Sequence, residues 1–190
     1  MEEKLQELYL QCIKELDSIG INIENIGTIN ISISKRANKI YGCCKQEEPN
    51  KSTRFISRVG CRRIIKYEKF NKHNILISAW VMELNDDIIK NTIMHELIHC
   101  FPYCNNHGKE FKMYAKVINS KLGYNITRAG NRELDSKDSN VKYEEKNINR
   151  YKIECEKCGQ TFFRQRCNKN LTRRYRCAKC GGKLKVEKLV

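Results

Sequence analysis

Apolar residues recur at helical spacing through residues 1–19, where Leu5, Leu8, Ile13 and Leu16 mark one face and Gly20 supplies a terminator. The period then drops to two. Ile29, Ile31 and Ile33 alternate with polar residues between Ile26 and Ser34, the pattern of a half-buried strand. Segments 61–67 and 74–80 are two further strand candidates, and 44–54 reads as a polar loop holding one of the chain's 2 prolines. Helical spacing returns after Asn85, an N-cap residue followed by Asp86 and Asp87. Ile89, Ile93, Leu97 and Cys100 form its apolar stripe, Ile88, Thr92, His95 and His99 lie on the neighbouring face, and Pro102 ends it. A second amphipathic helix runs through Phe111, Ala115, Ile118 and Leu122 to Gly123, a natural left-handed cap. Beyond Tyr124 the chain is polar to Arg150, as expected of a domain tail and linker. The pattern predicts an α+β domain over 1–130, a linker over 131–150 and a small unit over 151–190.

The chemistry concentrates in the first of those two helices. In His95-Glu96-Leu97-Ile98-His99 the imidazoles stand at i and i+4, so both rings reach one metal ion from one side. Glu96 lies about 100° around the helix, within reach of a water at that ion. A catalytic zinc needs a third protein ligand and an open position. A pattern with Gly at 102 and His at 105 is excluded, because Pro102 and Asn105 stand there. Glu110 and Glu133 are available but undistinguished, whereas His107 opens the second helix just after the turn and can return beside the pair. A capping or surface histidine is the alternative role for His107.

The run His95 to His99 followed by His107-Gly108-Lys109-Glu110-Phe111 resembles the SprT-like zinc metalloprotease family, to which Spartan-type proteases belong. Ile33-Ser34-Lys35-Arg36-Ala37, Tyr41-Gly42 and Ile75-Leu76-Ile77-Ser78 resemble its strand segments. Cys100 stands where that family commonly has Ala, and Tyr114 where it often has Trp. The resemblance implies a zincin-like fold, peptide hydrolysis, and protein substrates that include proteins bound or crosslinked to DNA. His95, His99 and His107 would hold zinc and Glu96 would act as base, then acid. Tyr103, Tyr114 and Arg128 are the candidates for stabilising the oxyanion. Ile75 to Ser78 is the expected strand for pairing with substrate backbone.

The last 40 residues carry a second metal signature, Cys155-x-x-Cys158 and Cys177-x-x-Cys180, with Gly159 and Gly181 after each second thiol. Four thiolates close a coordination shell, so this zinc is structural, and it stabilises a segment with little apolar core of its own. The expected complement is two zinc ions, and SprT-like proteins commonly end in such a ribbon. Cys167, out of register with both pairs, reads as a spare thiol.

The formal charge is +15, and it is unevenly placed: residues 141–190 hold 15 of the 37 basic residues but only 5 of the 22 acidic ones. Arg164, Arg166, Arg173, Arg174 and Arg176 interleave with Phe162, Phe163 and Tyr175. Guanidinium groups beside aromatic rings suit the phosphates and unstacked bases of single-stranded or otherwise unpaired DNA. A solubilising basic face over a small aromatic core is the simpler reading. No apolar run is long enough to cross a bilayer, no export signal is apparent, and 11 cysteines with two paired motifs fit a reducing cytoplasm, nucleoid included. Cys43, Cys44, Cys61, Cys100 and Cys104 read as small hydrophobes, with a redox or inhibitory role the alternative for Cys100 and Cys104. The rival to a protease is a non-catalytic zinc-binding regulator or nucleic-acid binder; Glu96 argues against it, since a structural site needs no base.

Overall fold

A computed structural model describes residues 1–36, 39–142 and 150–189, together with the main chain alone at Asn25 and Val59. The chain divides into two units, Met1–Tyr143 and Glu144–Val190, and is mixed α+β throughout. Ala37 and residues 143–149 of the predicted linker lie outside the described residues.

In the first unit, α1 (Glu2–Ser18) buries Leu5, Leu8, Cys12 and Leu16, one turn apart along a single stripe. Its chain reverses at Gly20, whose φ of 80° suits a residue without Cβ. Strand β1 (Thr28–Ser34) pairs in parallel with β5 (Phe70–Ser78), and β2 (Gly42–Pro49) pairs antiparallel with the other edge of β5. The sheet order is therefore β1-β5-β2. Strands β3 (Arg54–Val59) and β4 (Arg62–Tyr67) form a separate hairpin inserted between β2 and β5. Helices α2 (Asp86–Ile98) and α3 (Lys109–Leu122) follow, and the core gathers between α1, α2, α3 and the sheet.

Three expectations change. The stretch expected to be a polar loop is largely β2; the pattern eluded a period-two reading because this edge strand keeps its Lys and Glu side chains in water. Strand β5, expected to meet a substrate backbone through Ile75 to Ser78, is central and paired on both sides, so its backbone is already satisfied. The start of the predicted linker is instead α4 (Arg132–Asp138), capped by Asn131 and tied to the body by a hydrogen bond from the Tyr41 hydroxyl to Asp135. The Arg132 guanidinium lies 3.9 Å from the centre of the Trp80 ring.

Helix α2 is buried on most of its circumference: Ile89, Thr92, Ile93, Met94, Glu96, Leu97 and Ile98 are all enclosed. Its start is held by the Asn85 side chain, which accepts from the Ile88 N–H at 3.0 Å, as the sequence predicts. At its other end, the Gln46 amide donates to the His99 carbonyl at 2.9 Å, satisfying one of the carbonyls a helix leaves unpaired.

The second unit is a three-stranded antiparallel sheet of order β7-β6-β8, formed by β6 (Tyr151–Cys155), β7 (Thr161–Arg164) and β8 (Leu184–Lys188), with one helical turn, α5 (Leu171–Arg174). Its core is Ile153, Leu171, Leu184 and two of the cysteines, with Phe162, Cys167 and Val186 packed against them. Cys167 thus contributes to packing.

Replacing Asn85 with Ala removes the cap of the helix that carries the site. Stability measured by urea unfolding should fall by about 1 kcal/mol.

Candidate metal centre

His95 projects from the last turn of α2, and His99 is its C-cap residue. The chain then turns through Tyr103, which adopts a left-handed φ of 61°, and reaches His107 one residue ahead of Gly108, the N-cap of α3. The Nε2 atoms converge: His99 to His95 is 3.3 Å and His107 to His95 is 2.9 Å. The expected trio is therefore assembled, with ligand atoms within 4.8 Å of one another.

The orientation of two rings is set from outside the trio. His99 Nδ1 lies 2.6 Å from the Cys104 carbonyl, an acceptor only, so that nitrogen carries the proton and Nε2 presents its lone pair inward. His95 is held likewise by a hydrogen bond to the Thr127 backbone. Beneath all three, the Phe111 ring sits at centroid distances of 4.9, 4.8 and 4.7 Å from His95, His99 and His107. Phe111 was legible as a core residue from its spacing; that it floors the histidines was not.

Burial, then the nearby His99 and His107, lowers the His95 pKa to about 4. The ring is neutral at physiological pH, the form that ligates. The inward lone pairs of His95 and His99, with a third imidazole nitrogen beside them and no carboxylate among the three, repel one another unless a cation or proton sits between. The donor set fits zinc, which accepts three imidazoles and leaves one position open.

Glu96 is 5% exposed although ionisable. Burial, and then the charge of Cys44, pushes its pKa up to about 8, and a hydrogen bond from the Cys44 backbone N–H partly offsets this. Gly42 permits the approach of strand and acid: a Cβ there would lie 2.9 Å from Glu96 Cγ and 3.0 Å from Oε1. Sequence reasoning missed both β2 contacts. The available signal was a Gly immediately before two cysteines in an otherwise polar stretch.

His95, Glu96, His99 and His107 open onto a groove of about 1350 Å³ that also takes in Tyr41, Cys43 and Arg128. Of the three oxyanion candidates, only Arg128 reaches it. Tyr103 faces the hairpin, hydrogen-bonded to Glu68 and 6.3 Å from the Phe55 ring, and Tyr114 stacks on Phe101 at 4.6 Å.

In the second unit the four cysteines also converge, with sulfur separations of 3.4 Å for Cys155–Cys180 and 3.7 Å for Cys158–Cys177. Gly159 and Gly181 turn the chain at φ 67° and 69°, as predicted. Gly182 was not singled out, yet a Cβ there would lie 2.8 Å from Cys155 Sγ. Arg164, Arg166, Arg173 and Arg174 are exposed, as are Phe163 and Tyr175. Arg176 is committed locally, donating to the Thr172 and Tyr175 carbonyls at 3.0 Å each.

The SprT-like family model matches residues 8–130, a span that contains the three histidines, Glu96 and β2. The chain belongs to the SprT-like family. It is 34% identical over 105 residues to a protein named Protein SprT-like from Lactococcus lactis subsp. lactis (strain IL1403), covering 54% of this chain and 58% of that one. The chain thus spans somewhat more than half the length of that relative. No solved structure matches it. No helix among the described residues is long and apolar enough to cross a membrane.

Two outcomes follow from this geometry. His99→Ala should lose one equivalent of zinc and keep the ribbon ion, while Cys158→Ser should do the reverse, read by elemental analysis of the purified chain. In metal-free protein, Glu96 binds its proton more tightly folded than unfolded, so its contribution to stability falls as pH rises from 4.5 to about 8. Glu96→Gln should therefore stabilise the metal-free chain, by a margin that grows across that window and levels above it, in denaturation series at each pH.

Proposed function

We propose that this chain is a zinc-dependent metalloendopeptidase of zincin type. Its substrates are proteins bound or crosslinked to DNA, and its ribbon is the nucleic-acid contact. The observation that carries the reading is Glu96: an acid enclosed by β2, one residue from a metal ligand, and open to the groove that holds the three histidines. A purely structural metal site gains nothing from a carboxyl group whose burial is unfavourable.

Zinc bound by His95, His99 and His107 would supply a Lewis acid that polarises a carbonyl and acidifies water. The chain's own groups do the rest. Glu96 accepts the proton of the attacking water and returns it to the departing amine. Burial raises its pKa to about 8 in the metal-free chain, and the charge of a bound zinc would lower it again, favouring the carboxylate that a base must be. The Cys44 N–H keeps one carboxylate oxygen fixed during both transfers. Arg128 lines the same groove, and its positive charge is the one assigned to stabilising the tetrahedral oxygen. Strand β2 is the sheet edge beside the groove, so an extended substrate pairs there through its backbone.

For nucleic acid, the four exposed arginines and the exposed rings of Phe163 and Tyr175 provide phosphate contacts and stacking platforms. Arg176 shapes the end of α5 instead. Cleavage near DNA then depends on where the protease is held more than on peptide sequence.

The test is proteolysis of a DNA-binding protein with and without single-stranded DNA. Glu96→Ala should lose activity by about 100-fold or more while retaining zinc; equal turnover by both proteins would overturn the reading. Charge reversal at Arg173 and Arg174 should abolish stimulation by DNA and leave basal cleavage unchanged. Gly42→Ala, which pushes on Glu96, should lower kcat with the metal content intact.

A further inference from the structure

A second group of ligating side chains lies in the first unit, apart from the three histidines. Cys44 of β2, His73 of β5 and Cys100, just beyond α2, bring two sulfurs and one ring nitrogen within 4.8 Å of one another. The sulfurs are 3.6 Å apart, between the 3.4 and 3.7 Å of the ribbon pairs. Two thiolates on a tetrahedral ion with bonds of about 2.3 Å stand about 3.8 Å apart. A disulfide would need about 2.0 Å.

His73 makes the cluster more than a pair of neighbouring thiols. It is 1% exposed, and its Nε2 lies 2.9 Å from the Ile26 carbonyl. That oxygen only accepts, so Nε2 carries the proton and Nδ1 is left with a lone pair. No N–H or O–H reaches Nδ1, and the side chain it faces is Cys44. An imidazole locked in this tautomer by a backbone carbonyl, with its other nitrogen buried and directed at sulfur, is how a ligating histidine is usually held. Without a cation, that lone pair meets nothing stronger than the weak S–H donor of Cys44, a poor partner for a nitrogen enclosed in the core.

We propose that Cys44, His73 and Cys100 form a further zinc site in this chain, distinct from both the three-histidine centre and the four-cysteine ribbon. Two thiolates against a divalent ion give a neutral cluster, the charge state an enclosed site tolerates; a monovalent ion would leave a net negative charge there. Three protein donors suffice for zinc that completes its shell with a small ligand. Three-donor zinc sites are more often catalytic, but His73 and Cys100 are 1% and 3% exposed, so the role assigned to this ion is to hold elements together. The ion joins the edge strand, the central strand and the end of α2 at one point. Cys44 also donates its backbone N–H to Glu96, and Cys100 directly follows His99. The site therefore fixes the β2 backbone at the residue that also meets Glu96.

The measurement is zinc stoichiometry of the full chain, purified anaerobically without chelators, by native mass spectrometry and elemental analysis. The expected wild-type content is three ions. Cys44→Ala/Cys100→Ala should hold two and His99→Ala should hold two, with unchanged far-UV circular dichroism. Should the double variant fail to fold, the other pair still decides: three ions falling to two on His99→Ala supports the site, and two falling to one overturns it. A wild-type mass short by two hydrogens, with digestion linking Cys44 to Cys100, also overturns it in favour of a disulfide. A chain that loses the His99-dependent ion but never held the Cys44-dependent one would leave the protease reading standing and remove only this site.

Discussion

The first unit depends on one close approach, that of the edge strand β2 to helix α2. The Gly42 backbone comes near enough to Glu96 that no side chain fits between them, the Cys44 N–H meets the carboxyl group, and Gln46 closes onto the His99 carbonyl. Burying an acid is unfavourable unless its oxygens are satisfied, and here a single strand both buries the acid and supplies the donor. The same strand is the rim of the groove. Position, protonation and access at Glu96 are therefore set by one element.

The histidines are organised by a complementary device. Two backbone carbonyls fix ring tautomers, and Phe111 supplies a rigid apolar floor that all three rings share. An apolar floor leaves the imidazoles no alternative partner below, so their lone pairs meet in the space above. The loop that brings His107 back includes a tyrosine in the left-handed region, a conformation that side chains adopt only where the surroundings demand it. That loop also presents the Cys104 carbonyl to His99, so one turn positions a ligand and orients another.

The second unit solves a different problem. Its apolar core is a handful of residues, two of them cysteines of the candidate metal cluster, so binding an ion there would join coordination to packing. Glycine at 182 lets the two knuckles close on each other, and Arg176 ties off the short helix between them. Its exposed side chains include Arg164, Arg166, Arg173 and Arg174 and the rings of Phe163 and Tyr175.

Local patterns in the chain announced the features that depend on local spacing. His95 and His99 at i and i+4, the Asn85 cap, the paired cysteines with their glycines, and the amphipathic stripes of α1 and α3 were all legible, because a helix turn or a knuckle is decided within a few residues. The histidine at 107 could be proposed from a short return loop for the same reason. Pairing partners were not legible. Strand β2 keeps polar side chains because it lies at an edge, and β5 looks like any apolar strand whether central or not; only long-range hydrogen bonding separates the two. Nor could spacing choose Arg128 over Tyr103 and Tyr114, show Phe111 under the histidines, or bring Cys44, His73 and Cys100 together, since these contacts join segments far apart in the chain. Sequence by itself determined which ligands exist and on which elements they ride; the tertiary structure alone decided what surrounds them, because enclosure is a property of packed neighbours that no single segment carries.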